Sequence, residues 1–432
     1  MRQLWANRDA RLYLAGSVFS TFGDRVLYLA AAIWVRVLTG SNAEAGLTFF
    51  FLVLPAVVCS PLAGVLADRF RRRSLLAVAN LVGAGTVLAL TQVHRPGDLW
   101  LIYLVMFVYG AVGTVISAAG SALVVTVVPS DDLGQANGFL QLTAEGMRLV
   151  TPLVGAGLFT LIGGAAVAEL DAATFLIVPG LLWAMRLREP RPAPHERHWL
   201  TETTAGFSHI WRTLELRQVL LAMVLVVGVV GFLETAGFAV VTHGLHRPAS
   251  FIGVFISVQG IGAIAGGISA ALAMRRLGER KLAALGIAAM AVGASFLVTP
   301  AFLRGLLPEL LVGVGMVIFG FGLPWLLVGI NTLIQRRTPL RLQGRVNAAF
   351  GVLFGAFQTL SIGAGALLVG WVGYVPPVLA VVVVGSAVAV LLYTRTAPAP
   401  RADLVSGPGP FARAAEESRA APVTPAQADE YR

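Results

Sequence analysis

Gly64-Val65-Leu66-Ala67-Asp68-Arg69-Phe70-Arg71-Arg72-Arg73 closes a long apolar run with one acid and four arginines in six residues. Arginines clustered at the mouth of an apolar helix are the positive-inside mark of a membrane-spanning chain. They do not explain Asp68, since an acid at that place is costly unless both signs find partners at the membrane surface. Working outward, apolar residues make up 57% of the 432 and charged ones only 12%, against about 25% charged in a soluble chain. The mean hydropathy is +0.79. These values call for an all-α, polytopic membrane protein.

A helix needs about 20 apolar residues to cross the hydrocarbon. Twelve segments meet that need, near 12–38, 45–67, 74–93, 99–123, 135–162, 167–187, 217–242, 250–273, 281–299, 306–333, 345–371 and 376–394. The first is longer than the apolar core of a signal peptide and reads as a spanning helix. All but Lys281 of the 32 basic residues are arginines; 26 fall on the side holding both termini, and three (Arg95, Arg247, Arg304) on the other. That asymmetry predicts cytoplasmic N- and C-termini. The net charge of +10 therefore follows the membrane and is no nucleic-acid footprint. Arginine used almost to the exclusion of lysine points to a GC-rich bacterial genome, hence a bacterial inner (plasma) membrane. One cysteine, Cys59, and six scattered histidines exclude disulfides and give no metal-ligand spacing.

Two halves repeat. Gly134-Gln135-Ala136-Asn137-Gly138-Phe139, entering the fifth segment, answers Gly344-Arg345-Val346-Asn347-Ala348-Ala349, entering the eleventh, 210 residues on. The same offset carries Phe22-Gly23-Asp24 onto Phe232-Leu233-Glu234, so acid falls on acid. The expected organisation is an N-terminal six-helix bundle (1–187), a cytoplasmic linker (188–216), a C-terminal six-helix bundle (217–394) and a disordered tail (395–432). In the linker, Trp199 to Leu216 reads as a short amphipathic surface helix. Parallel repeats of this kind handle substrate at their interface near the bilayer midplane.

Ionisable groups inside spanning helices are functional candidates by default. Five stand out: Asp24 and Arg25, Glu145 and Arg148, and Glu234. Asp24 lies about 20 Å along its helix from Arg11, and Glu145 about 15 Å from Gln135, so both sit near mid-membrane. A carboxyl group in a low-dielectric cavity can bind and release a proton near neutral pH, as proton-coupled transport requires. The competing reading is a set of fixed internal bridges, with Arg25 and Arg148 balancing the acids, or Glu145 and Arg148 paired along one helix face. Gln358, 210 beyond Arg148, joins the candidates, and Phe22, Tyr28, Trp34, Gln141, Phe238, Gln259 and Asn331 are further cavity-facing possibilities, although an aromatic in a helix is more often packing or an interface anchor.

The opening stretch resembles the loop between helices 2 and 3 of the major facilitator superfamily, roughly G-x-L-A-D-R-x-G-R-[RK], with Arg71 in place of the second glycine. The resemblance implies two pseudo-symmetric six-helix bundles. It also implies a conformational gate in which Asp68, set among Gly64, Arg69, Arg72 and Arg73, latches against the start of the eleventh helix at Arg345. A second family pattern, marking exporters, is matched in the fifth segment by Gly138, Pro152 and Gly155, where a proline-bent helix packs closely on a neighbour. A third is missing: Met106 stands where many drug–proton antiporters carry an arginine four residues before a glycine, here Gly110. Gly23-Asp24, Leu54-Pro55, Pro61-Leu62-Ala63-Gly64 and Leu170-Asp171-Ala172-Ala173-Thr174-Phe175 resemble the branch that includes the enterobactin exporter, macrolide efflux proteins and mycobacterial multidrug efflux pumps. The implied function is proton-coupled export of a small, largely apolar compound by a monomer with no cofactor, no metal and no catalytic residues. No G-x-x-x-x-G-K-[ST] loop is present, so the chain holds no nucleotide-binding motor of that kind. The alternatives are an importer or uniporter of a small metabolite, or a membrane sensor that keeps the fold and moves nothing.

Overall fold

The computed structural model describes residues 7–129, 132–187, 189, 208, 210–338 and 340–394. The side chains of Asp68, Glu145 and Arg345, most of the linker and the whole tail lie outside that set. The expectations placed on them, the Glu145–Arg148 pair and the Asp68–Arg345 latch included, lie there too.

Twelve helical crossings follow one another. They are α1 (Arg8–Thr39), α2 (Asn42–Val58 continued by Ser60–Arg69), α3 (Arg72–Leu88) and α4 (Leu99–Val127). Leu133–Ala184 is broken at Gly163 into α5 (133–162) and α6 (164–184). Leu214–Val230 and Phe232–Ala239 form α7, which ends in a π-turn, Val240–Gly244. Ile252–Ser295 breaks at Gly278 into α8 (252–277) and α9 (279–295), and α10 (Leu306–Arg337), α11 (Leu340–Val372) and α12 (Val375–Thr394) complete the set. Among the described residues nine helical stretches are long and apolar enough to cross a membrane. Two of them, Gln135–Ala184 and Ala249–Ala301, each hold two crossings, and α2 adds the twelfth. Large apolar side chains point outward, Leu161, Ile268 and Trp371 among them, as lipid contact requires.

Local chemistry sets the helix ends. The Asn7 side chain accepts from the Asp9 and Ala10 N–H groups at 3.0 and 3.2 Å, a side-chain cap on orphan donors. In α2, Pro55 has no N–H to donate and the helix breaks at Cys59, restarting with Pro61 in its first turn. Gly163, between α5 and α6, has φ +80° and ψ 171°, a region open only to glycine. Its counterpart 210 residues on, Gly373 between α11 and α12, has φ +76°. The repeat thus extends to the turns.

The same symmetry governs packing. A Cβ on Gly155 would lie 2.8 Å from the Val26 carbonyl oxygen, and one on Gly365, again 210 on, 2.7 Å from Phe232 Cα. So α5 meets α1, and α11 meets α7, backbone against backbone. The halves touch through α2 with α11 (Phe50 on Gly363) and α5 with α8 (Pro152 and Ala156 on Gly253, Leu149 on Gly260).

At the arginine-rich end, Glu189 accepts from the Arg72 and Arg73 N–H groups at 2.9 and 3.0 Å. Its negative charge also suits the start of α3. Glu189→Ala is expected to lower stability by about 1 kcal/mol, read as a fall in the melting temperature of the purified protein. An unchanged melt would remove this cap from the account.

Candidate functional site

Two cavities face the buried charges. The central one, about 480 Å³, is lined from both halves. Its polar wall consists of Arg25 and Tyr28 on α1, Arg148 and Thr151 on α5, Glu234 on α7, Gln259 on α8 and Gln358 on α11. Phe49, Phe238, Phe255, Met290, Met316 and Phe319 make much of the remainder. The Tyr28 hydroxyl faces the Glu234 carboxylate, and the Arg148 charge acts on both. Ion pairs among the described residues are three, Arg95–Asp98, Arg247–Glu309 and Arg336–Glu279, all near helix ends. The fixed bridge considered for Glu234, with Arg25 or Arg148 as partner, is therefore not formed within 4.0 Å.

The second cavity, about 470 Å³, lies wholly within the first six helices, and Asp24 lines it. Tyr109 on α4 donates a short hydrogen bond to Asp24 Oδ1, and Ser20 Oγ donates to Oδ2 at 3.4 Å. Asp24 and Glu234 are thus placed in different cavities. Asp24, Arg25 and Tyr28 all line the cavity within the first bundle, and of the three only Arg25 and Tyr28, three apart on one helix face, also reach the central one.

The end of the central cavity away from the arginine clusters is shut. Tyr28, Phe49 and Phe238 pack across the bundles as tilted rings with centroids 4.7 and 6.1 Å apart. Beyond them Asn42 Oδ1 accepts from Arg36 Nε at 2.6 Å and from Thr242 Oγ1 at 3.1 Å, and Asn42 Nδ2 lies 3.4 Å from the His243 ring. Gly46 packs so closely on Thr235 that a Cβ would fall 1.8 Å from its Oγ1.

At the arginine-rich end, Arg72 reaches Thr126 Oγ1 on α4 at 3.0 Å and Arg73 the Trp183 carbonyl on α6 at 3.0 Å. Both tie α3 to its own bundle. Arg69 is exposed, and a Cβ on Gly64 would meet open space. In α5, Gly138 is likewise open, while Gly155 meets α1 and the Pro152 carbonyl meets α8 at Gly253. The helix-5 pattern thus sits where α5 touches α1 and the opposite bundle.

Sequence reasoning missed three features. Asp171, fully buried on α6, stands out in the sequence only as part of a branch motif, although it carries the same signal as Asp24, an acid inside an apolar segment. Tyr109 carries no such signal, since an aromatic in a helix is more often packing. The Asn42–Thr242–His243 cluster joins residues 200 or more apart, beyond any local pattern.

Residues 13–361 match the family model described as Major Facilitator Superfamily. The chain is 28% identical over 362 residues to the enterobactin exporter EntS of Citrobacter koseri, covering 81% of each. To macrolide efflux protein A of Streptococcus pyogenes it is 27% identical over 160 residues, 36% of this chain and 39% of that protein. A crystal structure of a bacterial homologue of the iron transporter ferroportin, in an inward-facing state, superposes with a TM-score of 0.69. That match has 16% identity and covers 90% of this chain and 99% of that one, so it speaks for the fold alone.

Proposed function

The chain belongs to the Major Facilitator Superfamily and crosses the membrane many times, and from that premise we propose that it exports a small, largely apolar compound in exchange for protons by alternating access. The carrying observation is the wall of the central cavity: one acid, two guanidinium groups, two amides and the Tyr28 and Thr151 hydroxyls set in a surface otherwise apolar. Such a wall suits a ligand with a large apolar body and one polar or charged group. Its volume, about 480 Å³, is that of a drug-sized pocket. The likeness to an enterobactin exporter and a macrolide efflux protein favours the outward direction.

In this reading the protein is a monomer of two six-helix bundles in a bacterial inner membrane, with the arginine-rich end and both termini in the cytoplasm. The aromatic and Asn42-centred contacts close the outer end, so the central cavity is served from inside. Glu234 is the acid that proton and substrate compete for, and Asp24 a second proton carrier. Arg25 and Arg148 balance charge, Gln358 orients the substrate, and Glu145 supports Arg148. Gly64, Asp68, Arg69, Arg72, Arg73 and Arg345 govern closure at the inner end.

Expression in an efflux-deficient bacterial host, screened against antibiotics, dyes and siderophores, should raise resistance to at least one compound. Inverted vesicles from that host should accumulate the same compound only under an imposed pH gradient. Uptake into intact cells instead would overturn export in favour of import.

A further inference from the structure

The cavity inside the first bundle runs from Leu12 and Leu182, near the arginine-rich end, to Asp24 and Tyr109. Most hydrogen-bond donors on its wall are already spent on the protein. Tyr13 gives its hydroxyl proton to the Gly120 carbonyl at 3.1 Å, Ser17 to the Tyr13 carbonyl at 3.0 Å and Ser121 to the Ala118 carbonyl at 3.0 Å. Tyr109 and Ser20 give theirs to Asp24. Asn80 directs its amide nitrogen at the Leu76 carbonyl, 2.7 Å away. Its Oδ1, on a residue only 1% exposed, has no partner.

A hydroxyl whose proton goes to a carbonyl shows only lone pairs to anything else. What these side chains offer the cavity is therefore a set of oxygen acceptors. Asp24 adds charge to that set. A carboxylate has about four acceptor sites, and the two hydroxyls occupy two of them. The one cation on this wall, Arg25, forms no ion pair with Asp24 within 4.0 Å. A carboxylate withdrawn from bulk water ordinarily has such a partner. The remaining wall is mostly apolar, with Leu76, Ile116, Phe175 and Leu181 on it. At about 470 Å³ the space is far more than a bare ion needs and suits a small organic molecule. Ser117 and Ser121 line it and are exposed, so a ligand has a way in.

We infer that this cavity is a second ligand site, distinct from the central one, which takes a small organic amine in its ammonium form. The ammonium brings the positive charge that Asp24 lacks and up to three N–H donors for the waiting oxygens. The apolar body of the amine lies along the leucine, isoleucine and phenylalanine side chains. The central cavity is built with the opposite sign, two guanidinium groups against one carboxylate, and repels an ammonium. The site stands on its own hydrogen bonds and depends neither on export nor on proton coupling. Where Asp24 carries a proton in transport, that proton and the ammonium exclude each other.

Calorimetric titration of the purified full chain, in phosphatidylcholine nanodiscs at neutral pH, tests the site with two probes of one shape. Phenethylamine is protonated at that pH, as any alkylamine is; phenethyl alcohol carries a neutral hydroxyl on the same body. The amine should bind at least about tenfold more tightly than the alcohol, after subtraction of the heat from empty nanodiscs. Asp24→Asn, which keeps the side-chain size and an acceptor for Tyr109, should weaken amine binding by about tenfold or more. Asn80→Leu should weaken it too, and it leaves the Asp24 bonds intact should Asp24→Asn fail to fold. To place the ligand, Ser117→Cys in a Cys59→Ser background should react more slowly with N-ethylmaleimide when phenethylamine is present, and at an unchanged rate with phenethyl alcohol. Equal affinity for the two probes, or no binding at millimolar amine, overturns the inference. So does undiminished affinity in either folded variant, or labelling of Ser117→Cys that ignores the amine.

Discussion

Gly46→Leu is expected to abolish transport while leaving a folded protein. Its Cβ would fall 1.8 Å from Thr235 Oγ1 and within 3 Å of two further Thr235 side-chain atoms. Thr235 is fully buried, and a threonine on a helix has no flexible end to swing aside. The clash must therefore separate α2 from α7, and with them the Asn42, Thr242 and His243 contacts. The bundle cores around Val26 and Ala284 are untouched, so the damage falls on closure rather than folding. The lone Cys59 makes this measurable. In a Cys59→Ser background, Thr242→Cys should react faster with a membrane-impermeant maleimide when Gly46→Leu is present. Gly85→Ala is the control, since a Cβ there meets open space and alanine in a helix is favourable by about 0.5–1 kcal/mol. Normal transport by Gly46→Leu would refute the tight outer closure.

Glu234→Gln should have the second large effect. The amide keeps the volume and the Tyr28 contact but removes the only described carboxylate on the central cavity wall. Gradient-driven export should be lost while the variant still binds the exported compound. Stability should suffer less. Removing one partner of a buried, directly bonded pair costs about 3–5 kcal/mol, but Arg148 is half-buried and forms no ion pair with Glu234 within 4.0 Å. The expected loss is therefore about 1 kcal/mol, and Glu234→Gln combined with Arg148→Gln should recover it in a thermal melt without recovering coupling. Full gradient-driven export by Glu234→Gln would remove this acid from the mechanism.

Much of this was written in the chain itself. Apolar length and arginine placement determined that twelve helices cross a membrane, because backbone groups in hydrocarbon must bond within their own segment. The 210-residue echo determined the two-fold repeat, down to Gly163 and Gly373. The acids at positions 24 and 234 were conspicuous because charge inside an apolar run is rare.

Tertiary structure alone decided where those charges point and what they meet. Sequence offset places Asp24 and Glu234 as equivalents, yet the rotation of α1 turns Asp24 into the first bundle while α7 turns Glu234 to the centre. Tyr109 and Asp171 join Asp24 across separations of 85 and more residues, and Asn42 meets Thr242 across 200. Periodicity within one helix fixes which face is apolar; it says nothing of which distant helix that face will touch. That choice falls to close packing, where a glycine such as Gly23 or Gly46 lets one backbone approach another's side chains.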